Sequence, residues 1–333
     1  MKVPVDIVVL WVDGSDPDWS QVRSRYLGRE QDAAPVRFRD WKTLRYLFRG
    51  IERFAPWVRN IHFVTWGHLP RWLRADHSRL HIVRHEAFID PAYLPLFNAN
   101  ALEVNLHRIE GLAEQFIFFN DDFFLTKPLV PERFFLEGLP RDSWVANALS
   151  SSAGVGHFVL NDLEVINRHF GKRACIKKNI FKVFNLKYGV DGLLRNTALL
   201  PWPRFTGFVD PHLPQPFLKS TFEEVWKRER EVLEETSASR FRNCNDVNQY
   251  LFRYWQLAKG DFIPVDMRDG KYLTLSMQNL RDGSVERLIN SGRYRMICLN
   301  DNEEISQEDF DEAKALLIQA LEKLLPEKSE FEQ

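Results

Sequence analysis

The chain has 333 residues in which 45 Lys and Arg balance 46 Asp and Glu, leaving a net charge of −1; this excludes a protein built as a whole to bind nucleic acid. An apolar share of 44%, with 13% aromatic residues, supports the core of one large domain or two modest ones. Three cysteines, Cys175, Cys244 and Cys298, lie far apart without CxxC spacing, which excludes a disulfide framework or clustered zinc site and fits a reducing compartment.

Residues 4–12, PVDIVVLWV, are β-branched and closed by the turn-forming run DGSDPDW, which predicts a buried strand. Leu44, Leu47, Ile51 and Phe54 recur at helical spacing and predict a helix over 40–54. Strands follow at 61–67 and 80–83. Leu102, Leu106 and Ile109 share a face and Gly111 suits a terminus, so 100–112 reads as a helix carrying Glu103 one turn before His107. A fourth strand covers 115–121, QFIFFND. This alternation predicts an α/β fold with a mainly parallel sheet flanked by helices.

Beyond about residue 145 helices dominate, at 160–170, 173–186, 220–236 and 245–258, with a Pro-rich joint at 201–216 and short strands at 261–266 and 271–275. CLND at 298–301 reads as another strand end, and Ser306 with Asp309 has capping-box spacing before a C-terminal helical stripe from Phe310 to Leu324. The expected division is an α/β half (1–145), a basic helical insertion (146–205) and a mixed half (206–333), together one integrated catalytic domain. No stretch reaches 18 apolar residues, and the start lacks a signal-peptide cleavage site, so the chain is expected to be soluble or peripheral to a membrane.

Ligands of open α/β sheets bind beyond the carboxyl ends of the strands, and two acid pairs fall there: Asp13 with Asp16, and Asp121 with Asp122. In FIFFNDDFFL the second pair interrupts an apolar run, where a buried carboxylate without a partner costs several kcal/mol or more. A divalent cation such as Mg²⁺, which takes a few carboxylate oxygens plus substrate phosphates, would supply that partner. Asx turns and helix caps are the structural reading of the same acids. His212 sits between prolines in VDPHLPQPF, and Arg242 in SRFRNCND could grip phosphate. Residues 160–204 carry nine Lys and Arg against three acids, which points to an acidic polymer, a lipid surface or a solvated helix face.

Four blocks, in order, resemble the Stealth family of sugar-phosphate transferases of bacterial capsule synthesis, with which the animal N-acetylglucosamine-1-phosphotransferase belongs. They are DIVVLWVDGSDPDW (6–19), the long block 37–125 ending in FIFFNDDFFL, the stretch from DPHLPQPF to RFRNCNDVNQYLFRYW (210–255), and RMICLNDN (295–302). The resemblance implies a glycosyltransferase-A-like α/β core, a divalent metal (Mg²⁺ or Mn²⁺), and transfer of a sugar 1-phosphate from a nucleotide sugar, typically a UDP-sugar, to an acceptor-glycan hydroxyl with release of UMP. The family's functional positions fall on Glu103, Asp122, His212 and Arg242, and Asp121 stands beside the matched aspartate to share the metal. His212 is read as general base or transient phosphoryl acceptor, and Glu103 as a base or an orienter of the acceptor sugar. Asp13, Gly14, Asn98 and Asn100 are the expected nucleotide and sugar contacts, with Asn300 and Asp301 behind them.

One motif departs: the family's VTDGQ reads VTWGH here, with Trp66 and His68. The competing readings are a metal-dependent glycosyltransferase of similar fold releasing UDP, and a non-catalytic glycan- or nucleotide-binding module. The expected location is cytoplasmic, with peripheral contact at the inner face of a bacterial plasma membrane through 160–204.

Overall fold

The strands are β1 (Val5–Leu10), β2 (Ile61–Thr65), β3 (Leu80–Arg84), β4 (Gln115–Phe119), β5 (Phe123–Leu125), β6 (Phe135–Leu136), β7 (Leu139–Asp142), β8 (Gln215–Leu218), β9 (Ile263–Pro264), β10 (Gly270–Thr274) and β11 (Met296–Asn300). The structure is a computed structural model that describes residues 3–27, 39–150, 155–301 and 304–333. Its main sheet has the order β3-β2-β1-β4-β8, parallel except for β8. The chain steps outward from β1 to β3, then crosses to the other side of β1 as β4. The order therefore reverses between β1 and β4, where an open α/β sheet forms its binding crevice.

Both faces of this sheet are covered, which is why its inner strands read as unbroken apolar runs. Val5, Ile7, Val9, Ile117 and Phe119 pack with helices Leu44–Phe54 and Phe310–Leu324 on one side. Val8, Leu10, Phe116 and Phe118 pack on the other with helices Val155–His169, Lys219–Arg228 and Tyr250–Lys259. Two smaller sheets, β10-β11-β5 and β6-β7-β9, flank this core. Strands from the first and last of the stretches expected from sequence interlock: β8 pairs with β4, and β11 pairs with β5.

Several helices differ from expectation, each for a local reason. The stretch 100–112 holds a helix only from Ala99 to Glu103, followed by a single 3₁₀ turn at Leu106–Arg108. Asn105 turns its amide back onto the Ala101 carbonyl (2.8 Å) and across to Ser237 Oγ (2.8 Å), an alternative to continuing the helix. Glu103 and His107 thus share no helical face, and His107 lies against the rings of Phe222 and Trp226. The expected helix 173–186 breaks at Asn179, whose amide bonds the Cys175 carbonyl. That over 220–236 breaks at Glu229, which pairs with Arg168. A helix at Gly189–Ala198 was not foreseen.

Ion pairs with buried carboxylates tie distant chain segments together. Arg49 meets Glu332 through two hydrogen bonds (2.7 and 3.0 Å) and donates to the Leu325 carbonyl (2.7 Å). Asp6, fully buried on β1, accepts from Arg59, from the His62 ring and from the amide of Ala113 (2.8 Å). Burial pushes the Asp6 pKa up, but these hydrogen bonds outweigh it and bring it down to about 2 from 3.8. Because the folded pKa is depressed, this stabilisation is complete above about 3.8 and is lost as pH falls through about 2. Urea titrations between pH 5 and 2 are expected to show a loss of about 2 kcal/mol from this group, absent in Asp6→Asn. Among the described residues no helix is long and apolar enough to cross a membrane.

Candidate active site

Asn120, Asp121 and Asp122 join the end of β4 to β5, so they link the main sheet to the β10-β11-β5 sheet at the reversal point. The Leu299 amide donates to the Asp122 carbonyl (3.0 Å), fixing the turn against β11. Cys298 Sγ donates to Asp122 Oδ2 at 3.2 Å, while Asp122 Oδ1 is buried with no hydrogen-bond partner. Burial raises the Asp122 pKa, opposed by the charge of His212 and the Cys298 thiol. Burial and the Asp122 carboxylate together push the Cys298 thiol up, so it stays a protonated donor. One ligating atom from each of Asp122, His212 and Cys298 lies within 4.8 Å of the others.

More carboxylates face this turn than the sequence suggested. Asp121 retains accessible surface, yet the density of protein around it and then Asp122 push its pKa to about 7, with Asp40 adding to the effect. Burial raises the Asp40 pKa too, and Asp13 contributes. Asp121 is thus repelled by Asp122 and by Asp40, and Asp40 in turn by Asp13. Asp40 was missed because it stands alone in its sequence neighbourhood. Asp13 is half-occupied structurally: its Oδ1 accepts from the amide and hydroxyl of Ser15 (2.9 and 2.6 Å), an Asx turn. The Asp13 amide donates to His68 Nε2 at 2.7 Å, so the variant VTWGH loop holds the first acidic turn in place with an unprotonated nitrogen. Burial depresses the His68 pKa in keeping with that role. Gly14 accepts from Ser20 Oγ (3.0 Å), and Asp16 is the N-cap of helix Pro17–Tyr26, not half of a metal pair.

His212 occupies a left-handed backbone conformation, φ 45°. For a non-glycine residue this costs of order 1–3 kcal/mol and persists only where the surroundings hold it. Two residues earlier, Asp210 accepts from Arg253 (2.6 Å) and Tyr254 (2.6 Å). Arg253 is fully buried and also grips Asp142 through two nitrogens (2.8 and 2.9 Å). The His212 ring meets the edges or faces of Phe123 and Tyr272, and its Nδ1 lies 3.4 Å from Tyr250 Oη.

Glu103 is buried and accepts from the Gln249 amide (3.3 Å). Burial raises its pKa, and the charge of Arg242 works in the opposite direction. Arg242 is half-buried and makes no hydrogen bond or salt bridge to the described residues. The asparagines expected to touch substrate are buried instead: Asn98 and Asn100 donate to Asp246 Oδ2 (2.8 and 3.2 Å), and Asn98 also donates to the Ser239 carbonyl (3.0 Å). They fix the loop that carries Arg242. Asp301 likewise is not free, because Arg39 takes both its oxygens (3.0 and 2.8 Å) and Trp41 Nε1 one of them (2.9 Å); Asn300 bonds the Asp301 carbonyl.

Tyr250, which sequence reading did not single out, stands between the two groups. Burial raises its pKa, and it feels both Glu103 and Cys298. Helix Tyr250–Lys259 thus organises the whole site. The residue before it reaches Glu103, its first residue reaches His212, and its first turn holds Asp210. For a divalent cation, the unpartnered Asp122 Oδ1 and the mutually repelling acids fit a hard, oxygen-preferring ion.

Comparison with known proteins gives the same ordering of segments. Stealth protein conserved region 1 matches residues 3–31, conserved region 2 matches 37–141 and conserved region 4 matches 287–333. His212 and Arg242 lie outside these stretches but inside full-length likenesses. The capsular polysaccharide phosphotransferase WcwK of Streptococcus pneumoniae is 39% identical over 98% of this chain and 98% of its own. The exopolysaccharide phosphotransferase cps2G of Lactiplantibacillus plantarum is 40% identical over 98% and 96%. The receptor polysaccharide phosphotransferase WefC of Streptococcus gordonii is 40% identical over 100% of both chains. Among solved structures, the galactosyltransferase LgtC with donor and acceptor sugar analogues aligns over 98% of both chains at 11% identity, with a TM-score of 0.39. With three conserved regions in order and relatives near 40% identity along its length, the chain belongs to the Stealth family and is a phosphotransferase.

Proposed function

We propose that this phosphotransferase moves a sugar 1-phosphate from a nucleotide sugar to a hydroxyl of an acceptor glycan, releasing a nucleoside monophosphate, in the synthesis of a capsular or extracellular polysaccharide. The observation that carries the reading is the placement of His212 and Glu103 on either side of Tyr250, with Asp122 beside His212 and Arg242 beside Glu103, near the point where the strand order reverses. The names of the full-length relatives support the polysaccharide role.

In this reading the acceptor oxygen attacks the β-phosphorus of the donor, the bond from that phosphorus to the bridging oxygen breaks, and the nucleoside monophosphate leaves with the electron pair. His212 takes the acceptor proton from a ring held by Tyr250 and by the strained backbone around it. Arg242, whose guanidinium makes no hydrogen bond or salt bridge among the described residues, offers its fork to the transferred phosphoryl oxygens. Glu103 keeps Arg242 in place and faces the incoming sugar. Asp121 and Asp122 would hold a divalent cation, Mg²⁺ or Mn²⁺, which when bound neutralises the diphosphate. Asn98, Asn100 and Asp301 serve as positioning residues.

Incubation with a panel of UDP- and other nucleotide sugars, an acceptor glycan and Mg²⁺ is expected to release nucleoside monophosphate, read by mass. Release of nucleoside diphosphate would replace this reading with glycosyl transfer at the anomeric carbon. With a donor made chiral at the β-phosphorus, inversion identifies His212 as base; retention identifies it as a transient phosphoryl acceptor.

A further inference from the structure

Seven of the twelve exposed large hydrophobic residues among the described residues fall within 180–202: Ile180, Phe181, Leu186, Val190, Leu194, Leu200 and Trp202. Phe181 and Leu186 are 86% and 84% exposed, which scattered surface apolar residues seldom are. The exposure follows from how the segment is anchored. On helix Gly189–Ala198 the buried positions are Gly192 and Asn196. Gly192 lies so close to Tyr188 and Val145 that a Cβ would fall 2.8 Å from the Tyr188 Cβ. Asn196 bonds the carbonyls of Trp144 and Val183 and the amide of Ala146 (2.8, 2.7 and 2.7 Å). With that face fixed inward, Val190 and Leu194, four residues apart, stand on the outward face, and Leu186 is exposed on the 3₁₀ turn that precedes the helix.

Positive charge is interleaved with this apolar surface. Lys177 and Lys178 precede Ile180 and Phe181, Lys187 follows Leu186, and Arg195 follows Leu194, all of them exposed. The helix also forms one wall of a cleft of about 440 Å³, which Arg195 lines together with Lys187, Pro211, Lys271 and Tyr272. Tyr272 touches the His212 ring, so this cleft adjoins the candidate active site.

We infer that the exposed face of residues 177–202 is a docking surface for an anionic lipid bilayer. Apolar side chains set among Lys and Arg match the hydrocarbon boundary and the anionic headgroups at once, and Trp202 suits the interfacial zone. A second copy of the chain is the poorer occupant. A two-fold symmetric contact sets the same patch against itself and would bring its lysines together, whereas a head-to-tail contact does not close into a dimer. The binding itself does not depend on the reading of the reaction. What rests on that reading is its consequence: with the chain held at a bilayer, the acceptor glycan is one presented at a lipid surface.

The test is flotation of the whole chain with vesicles of phosphatidylglycerol and phosphatidylcholine, and with phosphatidylcholine alone, at low and high salt. Binding to the anionic vesicles is expected, weakening at least about tenfold in 1 M salt as screening shortens to about 3 Å. The triple variant Leu186→Ser, Val190→Ser, Leu194→Ser is expected to lose about tenfold or more in vesicle partitioning with unchanged thermal unfolding. Lys177→Glu with Lys178→Glu is expected to remove the preference for anionic lipid. The inference is overturned if the parent chain fails to float at low salt, or if the triple variant floats as well as the parent. It is also overturned if the triple variant abolishes a concentration-dependent dimer while no form floats. Nucleoside monophosphate release in detergent-free solution reports on the proposed reaction independently of each of these outcomes.

Discussion

Replacing His212 with asparagine is expected to lower turnover by about 10²–10⁴-fold, the range that general acid–base catalysis contributes, while leaving the fold unchanged. Asparagine is the informative substitution because it tolerates a left-handed backbone and keeps a polar tip but cannot take a proton at neutral pH. Alanine at φ 45° would confound lost chemistry with a strained loop. Monophosphate release at saturating donor, together with a thermal unfolding curve, checks the prediction. Turnover within tenfold of the parent with unchanged unfolding would remove His212 from the chemistry and leave it as a packed ring between Phe123 and Tyr272.

The second large effect is on stability. Arg253→Met is expected to cost about 3–5 kcal/mol, because it removes the buried cation that the buried Asp142 and the half-buried Asp210 share. Against a typical total of about 5–15 kcal/mol, this is enough to leave the protein marginal at 25 °C. Burial already pushes the Asp210 pKa to about 6 with Arg253 present. Removing the guanidinium raises it further, so Asp210 is more readily neutralised as pH falls. The deficit of Arg253→Met, measured by urea unfolding, is therefore expected to be smaller at pH 5 than at pH 8. An equal deficit at both values would mean that lost packing, not uncompensated charge, carries the cost. The variant is also expected to lose activity at temperatures where it stays folded, since Asp210 sets the backbone of His212.

The parts of this molecule that sequence reading reached are those governed by local composition. β1 to β4 lie where β-branched and aromatic runs predicted them, because a sheet covered on both faces demands such runs. Asp122 was legible because a carboxylate inside an aromatic run is expensive without a partner. Arg242, Glu103 and His212 were reached through family blocks; their spacing alone did not single them out. What stayed hidden depends on long-range or side-chain-to-backbone contacts. Cys298 meets Asp122 across 176 residues of chain. Tyr250 looked like one more aromatic in an amphipathic helix. Asn98 and Asn100 read as sugar ligands because asparagine amides serve both purposes, and only the buried Asp246 decides between them. The helices broken at Asn105, Asn179 and Glu229 carried sound apolar periodicity, which cannot register a side chain that captures a carbonyl or an arginine.

The ion pair between Arg49 and Glu332 joins residues 283 positions apart. At a ribosomal rate of about 5–20 residues per second, the guanidinium waits roughly fifteen to sixty seconds after its own synthesis before its carboxylate partner exists. Helix Leu44–Phe54 cannot seat its charged side in the core during that interval without an uncompensated cation. The early strands must therefore remain loosely covered on one flank while the rest is translated. Docking of the late segment is the event that seals the nascent chain, and premature arrest at the ribosome would leave that flank exposed to chaperones and proteases.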